Sequence, residues 1–141
     1  MTIKEIQNEI IDEFSMFDDW MQRYEYIIEL GKSLPLIKEE YKTDENLIKG
    51  CQSKVWLQGE QKDDKIVFTA DSDAILTKGI IAILIRAFSN QKASDIINAD
   101  TDFIDEIGLK EHLSATRANG LVSMIKNIKM YALAFDAKNK N

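Results

Sequence analysis

The chain is poor in the residues that staple small proteins: its 141 residues include one cysteine, one histidine and one proline. A single cysteine closes no internal disulfide, and with a single histidine it supplies too few ligands for a structural zinc site. A hydrophobic core must therefore hold the fold, and a chain of this length buries about two-thirds of the surface its unfolded form exposes. Long apolar runs are missing too. The longest, Ile80 to Ile85, gives way to Arg86, far short of the roughly 20 residues that cross a bilayer. The opening Met1-Thr2-Ile3-Lys4-Glu5 lacks the basic-then-apolar order of a signal peptide, so the sequence predicts a cytoplasmic protein, without a membrane role, whose thiol stays reduced.

Positive charge is scarce in the front half. Residues 1–50 carry six basic and twelve acidic side chains, residues 51–141 twelve of each, for a net charge of −6. That argues against non-specific nucleic-acid binding, which relies on Lys and Arg neutralising phosphates. An acidic front half either steers a basic protein partner or simply solvates helix faces, and the second is the commoner case. With 45% hydrophobic and 30% charged residues, the composition is that of a soluble globular protein. No repeat or linker divides it, and a single domain over residues 1–141 is expected.

The first half reads as helices. Thr2 and Glu5 form a capping box, and Ile3, Ile6, Ile10 and Phe14 recur at spacings of three and four. Asp18-Asp19 opens a second helix with the stripe Trp20, Tyr24, Ile27 and Ile28, closed by Gly31 with Pro35 beyond. Residues 32–50 read as loops and short turns. Periodicity then switches to two: Val55, Leu57 and Gly59 alternate with Trp56 and Gln58, and Ile66, Phe68 and Ala70 with Val67 and Thr69. The polar stretch Glu60 to Lys65 supplies the turn, and residues 46–50 are expected to add a third strand. Because a hairpin alone is marginal in water, it must pack on helices.

Asp71-Ser72-Asp73 offers three N-caps for the apolar segment Ala74 to Phe88, in which Ile75, Leu76, Ile80, Ile81, Ile83, Leu84 and Ile85 cover nearly the whole circumference. Short helices are expected after Ser94-Asp95 and Thr101-Asp102, the latter ending at Gly108. Ser114 caps a last helix bearing Leu121, Met124, Ile125, Ile128, Ala132 and Phe135. Residues 136–141 are expected to fray. The architecture is α+β, a small antiparallel β-sheet packed against helices.

Among groups able to carry chemistry, Cys51 stands first. Gly50 directly precedes it and frees the backbone to bend, while polar Gln52 and Ser53 separate it from the apolar run at Val55. That places a thiol on a loop leading into a strand; a lone cysteine is otherwise a small hydrophobe. Lys49 and Lys54 flank it and would favour its thiolate if they pointed toward it. His112 invites a Cys51–His112 nucleophilic pair, although a structural or partner-contacting histidine is the plainer reading. Asp71 and Asp73 resemble a carboxylate pair, but residues two apart do not face each other on a helix, and helix capping accounts better for one of them. Arg117 lies at the start of the last helix, the less favoured end for a cation, which suggests a carboxylate partner within the fold or on another protein.

Taken together, Gly50-Cys51-Gln52-Ser53-x-Val55-Trp56, Ala70-Asp71-Ser72-Asp73-Ala74 with Lys78-Gly79, and His112-Leu113-Ser114-x-x-Arg117-x-Asn119-Gly120-Leu121-x-x-Met124 resemble the SufE family of sulfur acceptors. The resemblance spans roughly residues 10 to 133 in the same motif order. Ala115 departs from it, standing where the family commonly has proline. The resemblance implies a SufE/IscU-like α+β fold and a sulfur carrier. Such a protein takes persulfide sulfur from a pyridoxal-phosphate-dependent, SufS-type cysteine desulfurase onto Cys51, stimulates that enzyme, and passes the sulfur to an iron–sulfur assembly scaffold. It implies no cofactor on this chain, pyridoxal phosphate residing on the partner. Gly50, Gln52, Asp71, Asp73 and Arg117 become partner-contact candidates. One cysteine suffices to carry one sulfur, whereas cluster building takes several thiolates. Cys51 is further expected to rest against apolar side chains in the free protein and to swing outward in a complex. A Cys51–His112 enzyme and a non-catalytic binding module are the alternatives.

Overall fold

A computed structural model describes residues 1–140. Two amphipathic helices open it, α1 (Ile3–Phe14) and α2 (Trp20–Gly31). The Thr2–Glu5 capping box forms as the sequence predicts, and the Asp19 carboxylate accepts from the Gln22 N–H. The buried row of α1 is Ile3, Gln7, Ile10 and Phe14. Gln7 takes the inward place expected of Ile6 because its amide nitrogen donates to the Asp100 carbonyl at 2.9 Å, which removes the cost of burying it. Gly31 ends α2 as its last helical residue, with no left-handed turn after it. Its role is close packing: a methyl group there would meet the Gly79 backbone nitrogen at 3.0 Å.

Strands β1 (Val55–Lys62) and β2 (Lys65–Ser72) pair antiparallel, Val55 opposite Ser72 and Lys62 opposite Lys65. They run further into the polar stretch than expected, leaving only Asp63 and Asp64 as the turn. Asp63 adopts the left-handed conformation that asparagine and aspartate tolerate best outside glycine. Val55, Leu57, Ile66, Phe68 and Ala70 line one buried face. The third strand is not at residues 46–50. It is β3 (Gln91–Lys92), pairing with the start of β2; residues 46–50 contribute only a bridge from Leu47 to Trp56 on the outer edge of β1. Leu36 bridges Ala70 on the free side of β2. Both sheet edges are thereby partly covered by the loop 32–50 and β3, which blunts their tendency to pair with other chains.

The central helix α3 (Ile75–Phe88) crosses the buried face, and all but a few of its side chains are inside. Ile75, however, is 69% exposed, and none of Asp71, Ser72 or Asp73 caps the helix: its N-cap residue is Ala74, without a side-chain bond. Short helices α4 (Ala93–Asn98), α5 (Asp102–Glu106) and α6 (Leu109–His112) lead to α7 (Ala115–Asn139), capped by the Ser114 hydroxyl. α4 begins one residue before the Ser94 signal, and α6 follows left-handed Gly108 where no helix was expected. α7 continues through most of the tail expected to fray, where Asp136 pairs with Lys140 at 3.0 Å. Asn141 lies outside the described residues. The α+β architecture is as predicted.

Candidate functional site

Three elements meet at Cys51. The loop after the Leu47 bridge turns at Gly50, φ 92°, a conformation that favours glycine, and a methyl group there would also strike the Ser123 hydroxyl at 2.8 Å. Beyond the turn, the Cys51 side chain points to α7, its thiol donating to the Gly120 carbonyl across 3.7 Å. Gly120 makes that approach possible, since a methyl group on it would stand 3.2 Å from the sulfur. The far end of the loop is fixed where the Lys54 N–H donates to the Asp73 carboxylate at 3.0 Å.

The cysteine is half-buried and packs against the core. It closes a cavity of about 10 Å³, enough for one water-sized atom. Gln52 and Ser53 line it from the loop, Thr77 and Ile80 from α3, and Thr116, Arg117, Gly120 and Met124 from α7. Burial pushes the Cys51 thiol pKa up. The flanking lysines do not offset this: Lys49 lines a separate groove on the far side of Gly50, and exposed Lys54 meets Asp73 through its backbone. The resting group is a sheltered, protonated thiol. Larger clefts, of about 600 and 330 Å³, lie elsewhere, one against the start of α1 and one against the edge of β2.

The other expected site residues sort differently. Gln52 is exposed beside the thiol. Asp71 is an ion-pair centre, its carboxylate 2.6 Å from Lys42 Nζ and 3.3 Å from Lys78 Nζ. Burial alone would raise its pKa, but bonds from Lys42, the Ser72 N–H and Lys78 hold it below the usual aspartate value. Lys42 in turn lies over the Trp56 ring, 5.5 Å from its centroid. Asp71 and Asp73 therefore brace the strand end and the cysteine loop. Arg117 is exposed on the cavity rim, and its guanidinium makes no ion pair among the described residues, so the carboxylate expected within the fold is not there. His112 does not line the cavity. Its ring stacks on Trp20 at 4.0 Å, and Nδ1 lies 2.9 Å from the Gly108 carbonyl oxygen. The structure thus does not bring Cys51 and His112 into one site. Thr77 was missed because an isolated threonine in an apolar helix carries no periodic signal; only its position beside Cys51 marks it. Among the described residues no group of three or more His, Cys, Asp or Glu side chains is placed to hold a metal ion, and no helix is long and apolar enough to cross a membrane.

Residues 8–132 match the profile of a family described as SufE, an Fe–S metabolism associated domain. An uncharacterised SufE-like protein of Rhizobium meliloti is 46% identical over 89% of this chain and 93% of its own length. A SufE-like protein of Arabidopsis thaliana, designated chloroplastic/mitochondrial, is 34% identical over 94% of this chain but only 36% of its own length. In structure, the chain is similar to a hypothetical protein of Thermus thermophilus solved in solution. The TM-score is 0.76 at 13% identity, covering 92% of this chain and 94% of that one, a likeness of fold.

Proposed function

Because the chain belongs to the SufE family, whose domain is associated with iron–sulfur metabolism, we propose that it is a sulfur carrier acting through Cys51. The Cys51 thiolate attacks the outer sulfur of a persulfide on a SufS-type cysteine desulfurase. The new bond joins Cys51 Sγ to that sulfur, the donor's S–S bond breaks, and the donor cysteine leaves as a thiolate. A recipient thiolate on an iron–sulfur assembly scaffold later repeats the attack on the Cys51 persulfide. Removing product sulfur would also stimulate the desulfurase. The chain itself is an accessory protein without a cofactor, pyridoxal phosphate belonging to the partner.

The observation that carries this reading is the setting of the chain's one thiol: half-buried in a one-atom cavity, on a loop that turns at left-handed Gly50. Such a setting meets both demands on a relay cysteine. At rest the group is shielded from small thiols and oxidants, and rotation at Gly50 would carry it outward to a partner. Exposed Gln52 and Arg117, which makes no ion pair among the described residues, are the contact candidates on the cavity rim, together with Gly50. Asp71 and Asp73 would act by holding the loop, and exposed Asp73 would also face the partner. A cytoplasmic setting would keep the thiol reduced.

Incubation with a SufS-type desulfurase and free cysteine, followed by intact-protein mass spectrometry, tests the proposal. The expected result is a gain of one sulfur atom that maps to Cys51, is removed by reductant and is absent from Cys51→Ser. No gain with an active cognate desulfurase would overturn it. A nucleophilic enzyme using His112 has no comparable support, since that ring is engaged with Trp20 and Gly108.

A further inference from the structure

Two polar side chains are buried among the described residues. Gln7 has the Asp100 carbonyl as its partner. Thr77, 6% exposed, has no hydrogen-bond partner for its hydroxyl among those residues, and it lines the cavity that Cys51 closes. Among the described residues the only fully sealed side-chain polar atom without a partner is Trp20 Nε1, so the Thr77 hydroxyl is not sealed off and is free to bond a group that enters the cavity. Valine would fill the same space with no polar atom to satisfy.

We propose that Thr77 is the binding group for the sulfur that Cys51 carries, its hydroxyl donating a hydrogen bond to the terminal sulfur of a persulfide turned into this cavity. The inference rests on the carrier reading and adds a specific residue to it. The cavity holds one atom beyond the thiol, which is what a persulfide adds. That terminal sulfur is an anion when deprotonated, and a donor to an anion makes the stronger class of hydrogen bond. Thr77 stands in the first turn of α3, whose N-cap residue supplies no side-chain bond, so the positive end of the helix is left to favour a nearby negative charge. Ile80 and Met124 close the apolar side of the cavity against small nucleophiles.

The test loads the full chain without a desulfurase, using hydrogen disulfide. The Cys51 thiolate attacks the outer sulfur of HSS⁻, a new S–S bond forms, the reagent's S–S bond breaks and HS⁻ leaves. Cyanide then strips the outer sulfur as thiocyanate and returns the Cys51 thiolate, and intact-protein mass spectrometry follows the loss. Thr77→Val should lose its sulfur about tenfold faster than wild type, the scale of one hydrogen bond to a charged group. Thr77→Ser should restore the wild-type lifetime. Unloaded Thr77→Val should melt close to the wild-type temperature because no hydrogen bond within the fold is lost, an outcome a threonine bonded within the fold would not give. An unchanged lifetime in Thr77→Val, a clearly lowered melting temperature, or failure of folded wild type to take one sulfur from hydrogen disulfide would each overturn the proposal. Loading by hydrogen disulfide but not by an active desulfurase would instead sink the carrier reading and leave the Thr77 result standing.

Discussion

At Gly120 an added methyl group would lie 3.2 Å from the Cys51 sulfur and 3.6 Å from its Cα. The flexible loop can yield by a few tenths of an ångström, whereas α7 cannot move as easily. Gly120→Ala should therefore push the thiol toward solvent. Alanine also favours a helix over glycine by about 1 kcal/mol, so overall stability should stay within about that amount of wild type. The check is the rate of reaction with an aromatic disulfide reagent across pH, alongside a denaturant titration. In wild type, burial keeps the thiol protonated to higher pH than an ordinary cysteine, so its rate should rise late. Gly120→Ala should react faster, with its rise at lower pH. Equal profiles would mean that the cavity is not what shelters the sulfur.

Helices α2 and α3 meet through glycine. A methyl group on Gly79 would fall 2.1 Å from the Ile27 carbonyl oxygen and 2.7 Å from its carbon, both backbone atoms. No rotamer change relieves such a clash; the helices must separate, and Ile27 and Ile80 lose their packing. Gly79→Ala should cost about 3 kcal/mol, the upper part of the usual range for overpacking, read from urea midpoints. Gly31→Ala, whose nearest contact is 3.0 Å, should cost less. The same crossing carries function indirectly, because α3 supplies Thr77 and Ile80 to the cavity. Local pattern revealed both helices here, but it read Gly31 as a terminator, since a glycine near a helix end looks the same whether it turns the chain or admits a neighbour.

Across the molecule, Arg86 on α3 gathers α1 and α2. It pairs with Glu9 and Glu13, and Tyr26 donates to Glu13. The Arg86 hydrogen bond holds Glu13 below the ordinary glutamate value of 4.5 against burial, which acts the other way. A carboxyl whose folded pKa is depressed contributes stability that is complete above its unfolded pKa and fades as pH falls through the folded value. The loss from Glu13 therefore begins near pH 4.5 and continues below it. Glu13→Gln keeps the shape and removes the charge, at an expected cost of about 1–2 kcal/mol at neutral pH, reduced from a fully buried pair because water reaches the site. Urea midpoints from neutral pH down to about pH 3 check it, and the variant should show the shallower decline.

What the sequence determined by itself was whatever neighbours one to four positions apart decide: α1, α2, the core of α3 and α7, the alternation of β1 and β2, the α+β class, and Cys51 as the residue to watch. Contacts between distant segments decided the rest. The two residues of β3 are too few for any period, and they pair only because Asn90 turns the chain after α3 back to the Ile66 carbonyl. Asp71 looked like a helix cap, yet Lys42 from a remote loop claims its carboxylate. Arg117 suggested an ion pair within the fold, and none forms among the described residues. Cys51 is sheltered by Gly120, 69 positions away, and Thr77 acquires meaning only because α3 sets it in the same one-atom cavity. Local spacing fixes which residues are helical or extended, but a binding site is a meeting of segments, and only the packed chain brings them together.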